Sequence, residues 1–166
     1  MSSPATEQMR QRILYYLNHV RNGSRDCLNQ RFFYELVDCS FEEQWLTLRY
    51  RTDDWMLNPG GVVHGGIICT IFDISMGTTS LALGEIYNPT VSLSVDFLSP
   101  MPNHEQILLH CQCNRLGKTL SHLTARATVE KSGVLCATAA AIFYRGGGER
   151  LEIGPEGKVA VRKTIL

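Results

Sequence analysis

Asn58-Pro59-Gly60-Gly61-Val62-Val63-His64-Gly65-Gly66 runs directly into an apolar segment, residues 67–83, that only Asp73, Gly77 and a few hydroxyl side chains interrupt. The first part holds more turn formers than a tight hairpin needs, so it predicts a shaped loop. The second part is apolar nearly all round at helical length, and such a helix must be covered on every side. Gly84 stands where a C-terminal cap is expected. The run is shorter and more polar than the roughly 20 apolar residues of a membrane span, so it predicts the core helix of a globular domain and no membrane partner.

Upstream, Met9, Ile13, Leu17 and Val20 recur at helical spacing, with Ser3-Pro4 suited to a helix start and Asn22-Gly23 to its end. This predicts an amphipathic helix over residues 4–21. Residues 32–37 and 45–51 change to aromatic and β-branched texture and predict two strands. Downstream, after Asn88-Pro89, residues 90–98, 107–115, 120–130 and 134–144 read as strands with no helix among them. Lys131-Ser132-Gly133 supplies the last hairpin turn. One unit over residues 1–148 is expected, followed by a polar tail, 149–166, loosely attached. One antiparallel sheet around one apolar helix is covered on one side only, which predicts a homo-oligomer.

Sixteen basic residues balance sixteen acidic ones, and the longest Lys/Arg run is Arg162-Lys163, so nucleic acid is not an expected partner. The first residues have no apolar core behind a positive region, and a cytoplasmic location is the expectation. The six cysteines are scattered through apolar or alternating segments and read as small buried hydrophobes. Cys111-x-Cys113 beside His110 superficially suggests a metal site. On a strand, however, the cysteines face one side and His110 the other, and no second pair follows, so no metal is expected.

The loop and helix, with Thr90-Val91-Ser92-Leu93-Ser94-Val95-Asp96-Phe97-Leu98-Ser99-Pro100 further on, resemble the phenylacetate-pathway branch of the hotdog-fold acyl-CoA thioesterases. The likeness spans about residues 45–145. It implies an α+β hotdog fold, a sheet wrapped around a long central helix, with the N-terminal helix as an addition. It also implies pairing of subunits as dimers or dimers of dimers, with active sites between subunits, and hydrolysis of an acyl-CoA without metal or redox cofactor.

Carried onto this sequence, the resemblance makes Asp73 the general base or nucleophile and the Gly65 N–H the donor to the thioester carbonyl. Asn58 and His64 would line the pocket from the opposite subunit, and Thr90 would help place the attacking water. Val63 and Gly66 would line the substrate, and Arg115, Gly117 and Lys118 would touch coenzyme A. Elementary chemistry agrees on one point: unsatisfied N–H groups at a helix start, backed by the dipole, suit a developing oxyanion.

Each residue also has a plainer reading. Asp73 could be a buried carboxylate held by a hydroxyl, His64 a loop-bonding histidine, and Asn58 an Asx-turn residue before Pro59. A non-catalytic acyl-CoA-binding module is the alternative function. Enoyl thioester hydration would in the related branch need an Asp and a His five residues apart in one loop, and that spacing is missing.

Overall fold

The computed structural model describes residues 2–23, 26–146, 149–153 and 159–163. In chain order the elements are helix α1 (Pro4–Asn22), strands β1 (Tyr34–Ser40) and β2 (Trp45–Arg51), helix α2 (Gly65–Gly84), and strands β3 (Thr90–Phe97), β4 (Gln106–Leu116), β5 (Leu120–Val129) and β6 (Leu135–Tyr144). A hairpin of β7 (Glu149–Ile153) and β8 (Val159–Lys163) follows. Strands β1 to β6 form one antiparallel sheet in the order β1-β2-β4-β5-β6-β3, the expected hotdog arrangement around α2.

Burial of α2 explains the sheet's composition. Alternate residues of β2, β4 and β5 point inward, among them Leu46, Leu48, Ile107, Leu109, Leu123 and Ala127. On β6 the inward row is Ala137, Ala139, Ala141 and Phe143, and the small side chains leave space for the helix. The hydroxyls within α2 bond back to their own helix, as from Ser75 to the Ile71 carbonyl, Thr78 to Ile74 and Thr79 to Ser75. Polar atoms are thus buried without cost to the packing. By length and composition this 20-residue helix could cross a membrane, longer than the 17-residue run suggested. Two-thirds of its most apolar window is buried in the fold, which identifies it as a core helix.

Three expectations shift. The first strand lies at Tyr34–Ser40 rather than 32–37, because a bulge between Leu36 and Asp38 breaks the two-residue period that sequence reading follows. Helix α2 closes not on Gly84 but on Glu85, which takes the left-handed conformation (φ 60°) and donates its N–H to the Leu81 carbonyl. The expected loose tail contains the β7–β8 hairpin, whose Arg150 bridges back to Ile86.

Helix α1 starts as expected, with the Ser3 hydroxyl accepting from the Thr6 N–H and Pro4 in the first turn. It buries Met9, Ile13 and Leu17, and Arg12 with them. The Arg12 guanidinium donates to the Ala82 carbonyl at 2.7 Å and pairs with Glu85 at 2.5 Å, so α1 is clamped to the C-terminal end of α2. Replacing Arg12 with Ala is expected to destabilise the fold by about 2 kcal/mol, since a nearly buried charged donor is lost and the end of α2 is left uncapped. Urea unfolding checks this, and an unchanged midpoint would show that α1 docks through its apolar stripe alone.

Candidate active site

Asp73, Gly77 and Leu81 stand one turn apart on one face of α2, with Ile74 and Thr78 beside them, and together they form one wall of a cavity of about 140 Å³. Asp73 and Gly77 are the half-buried members of an otherwise buried stretch of helix. Thr90, the first residue of β3, donates its hydroxyl to Asp73 Oδ1 at 2.6 Å. The carboxylate is therefore oriented by a hydrogen bond while it lines the cavity. Phe143 forms the floor under Gly77, where an added Cβ would lie 3.4 Å from the ring.

The rest of the cavity comes from elements that the sequence had not connected to Asp73. Tyr16 of α1, Asn29 of a short 3₁₀ turn (Leu28–Arg31), and Tyr87 and Asn88 of the loop after α2 complete the wall. Burial pushes the Tyr16 pKa up, against a hydrogen bond to Asn29, with Cys27 and Asp73 adding to the rise, so the hydroxyl keeps its proton. The signal for Tyr16 was present: it lies seven residues after Met9 and three after Ile13, on the buried face of the helix.

At the other end of α2, loop 58–64 is organised by its own side chains. Asn58 Oδ1 accepts from the Gly60 N–H at 2.8 Å, the Asx-turn reading, and the Asn58 N–H bonds the Val62 carbonyl. Gly61 has φ 79°, which its lack of a Cβ permits. His64 is the helix N-cap: its Nδ1 accepts from the Gly66 N–H at 2.9 Å, and its own N–H bonds the Met56 carbonyl. Of the two glycine donors, Gly66 is thus occupied. Among the described residues no acceptor takes the Gly65 N–H. Asn58, Val63 and Gly65 line a second, open cleft together with Phe97, Leu98 and Met101.

Within one chain these two groups stay apart. Gly65 and Asp73 are eight residues apart on one helix, about 12 Å along its axis. The Arg115, Gly117 and Lys118 turn forms a third group. Gly117 accepts from Arg145, whose guanidinium also reaches the Gly84 carbonyl, so the turn sits at the C-terminal end of α2. Arg115 and Lys118 are exposed there. Cys111 and Cys113 are buried on the inner face with His110 on the outer one, and burial pushes the Cys111 thiol up to about 12, so it stays neutral.

Residues 60–136 match the family model of the thioesterase superfamily. A Pseudomonas aeruginosa protein named as a candidate esterase is 27% identical over 104 residues, 61% of this chain and 76% of its own length. The Escherichia coli PaaI protein from the phenylacetic acid degradation operon superposes with TM-score 0.71 at 15% identity, over 86% of this chain and 96% of its own. A Streptococcus mutans protein solved with bound acetyl CoA does so with TM-score 0.62 at 21% identity, over 80% and 92%. Architecture and these likenesses agree on a hotdog fold, and the span that matches the thioesterase-superfamily model runs from the glycine-rich loop through α2 into β6.

Proposed function

We propose that the protein hydrolyses an acyl-CoA thioester to a carboxylic acid and coenzyme A, in a cytoplasmic setting and with no metal or redox cofactor. The observation that carries this reading is the Asp73 carboxylate, oriented by Thr90 on the wall of a cavity beside the apolar face of α2. Asp73 either takes a proton from the attacking water or attacks the thioester carbonyl itself to give an anhydride that water then opens. In both routes the carbonyl oxygen becomes an oxyanion and the C–S bond breaks when the tetrahedral intermediate collapses. The departing thiolate of coenzyme A takes up a proton. The uncommitted Gly65 N–H is the donor suited to that oxyanion.

Since Asp73 and Gly65 lie about 12 Å apart in one chain, the reading requires a second copy whose helix start meets the first copy's Asp73. Strand β3 supports this, because it is a sheet edge with Val91 57% and Phe97 55% exposed. A second β3 alongside would extend the sheet and cover these side chains, giving a dimer or a dimer of dimers. His64 and Asn58 then shape the donor loop, and neither transfers a proton. Arg115 and Lys118 are exposed cations suited to the phosphates of coenzyme A, with Gly117 fixing their turn. Val63 and Gly66 border the donor and complete the substrate contact.

Asp73→Asn is expected to lower kcat by at least 10²-fold while leaving the thermal transition near the wild-type value. Thiol release from a panel of acyl-CoA esters measures it, and full activity in the variant would remove Asp73 from the chemistry. No release by folded wild type from any ester would favour an acyl-CoA-binding module.

Gly65→Pro deletes the donor at a helix position where proline fits, since His64 already has the extended conformation (φ −62°, ψ 138°) that a residue before proline adopts. A loss of about 10²–10³ in kcat is expected, with helix content by circular dichroism unchanged. Mixing inactive Asp73→Asn and Gly65→Pro subunits should restore about one quarter of wild-type activity, because half the dimers are mixed and one of their two sites is intact. No recovery after verified subunit exchange would place the whole site within one chain.

A further inference from the structure

We propose that Tyr16, on the added helix α1, is a specificity-determining residue that closes the acyl end of the Asp73 cavity, its ring limiting acyl length and its hydroxyl favouring a hydrogen-bonding acyl terminus. The inference rests on the hydrolysis reading above and deepens it by naming the class of acyl group.

Four observations place Tyr16 there. The cavity follows α2 from Asp73 through Gly77 to Leu81, two helical turns toward the C-terminal end, and its opposite wall is Tyr16 with Tyr87, their rings 6.0 Å apart and tilted by 58°. Its volume of about 140 Å³ is close to that of an engineered cavity, ~150 Å³, that holds benzene, so it suits a group of about six carbons.

The wall is also anchored. One turn before Tyr16, Arg12 is fixed to the Ala82 carbonyl and Glu85, and the turn that bears Asn29 is tied to α1 by the Gln30 side chain, which donates to the Val20 and Gly23 carbonyls. Finally, the far side is polar. Asn29, which hydrogen-bonds the Tyr16 side chain, and Asn88 line it, and a purely aliphatic terminus would strip their remaining hydrogen-bonding capacity of water without replacing it. An acyl group of about six carbons with an oxygen near its end meets both conditions.

The test compares wild type, Tyr16→Phe and Tyr16→Ala on hexanoyl-CoA, decanoyl-CoA and 5-oxohexanoyl-CoA, reading kcat/KM for each. Wild type should prefer the oxo ester to hexanoyl-CoA and both to decanoyl-CoA. Tyr16→Phe keeps the packing and should lower the oxo-to-hexanoyl ratio by about tenfold. Tyr16→Ala opens the wall and should raise the decanoyl-to-hexanoyl ratio by about tenfold or more. Hydrolysis with both ratios within about threefold of wild type would overturn the assignment of Tyr16 and leave the hydrolysis reading standing. No hydrolysis of any ester by folded wild type would overturn both. If Tyr16→Ala fails to fold, the Tyr16→Phe ratio decides alone.

Discussion

The architecture depends on burying helix α2, which is apolar around almost its whole circumference. A single sheet can cover only part of a helix, so the sequence needs further cover. The sheet provides one side, with the alanine row of β6 letting the helix approach closely. Helix α1 provides another, fixed by Arg12 at the C-terminal end of α2. The hydroxyls of Ser75, Thr78 and Thr79 satisfy themselves on the preceding turn, so a helix with several polar residues behaves as an apolar one.

The same constraint locates the candidate chemistry. Where cover is complete, a carboxylate would be penalised; Asp73 sits where it is not, beside Gly77 and against a cavity, with Thr90 as its partner. The other useful group on α2 is not a side chain. The helix start exposes the Gly65 N–H, which nothing among the described residues accepts, while His64 occupies that of its neighbour Gly66. A carboxylate and a donor at two levels of one rigid helix cannot converge on one carbonyl, and in the proposed dimer the uncovered edge strand β3 would be the means by which a second copy brings them together.

Much of this was legible in the sequence because it follows from local periodicity. The amphipathic stripe of α1, the long apolar run of α2 and the strand-turn-strand succession after Asn88-Pro89 each carry their own signature. The failures were also physical. A bulge at residues 36–38 hid the true extent of β1, and the left-handed cap fell on Glu85, a residue type that carries no such signature and whose carboxylate Arg12 holds. The hairpin after residue 148 offers only two alternating apolar positions per strand, Leu151 and Ile153 opposite Val161 and Val159, a pattern too short to stand out from the polar residues around it.

By itself the sequence determined the element types as far as β6, the all-antiparallel succession around one helix, and the candidacy of Asp73 and Gly65, since a carboxylate in an apolar run and glycines at a helix start are local facts. Tertiary structure decided which residues surround Asp73. Tyr16 lies 57 positions before it and Phe143 70 after it, and only the docking of α1 and the return of β6 bring them to one cavity. It also decided which glycine N–H stays free and that the two halves of the site lie about two helical turns apart. Such distances depend on how elements pack, and packing is set by side chains far apart in the chain, which no local pattern encodes.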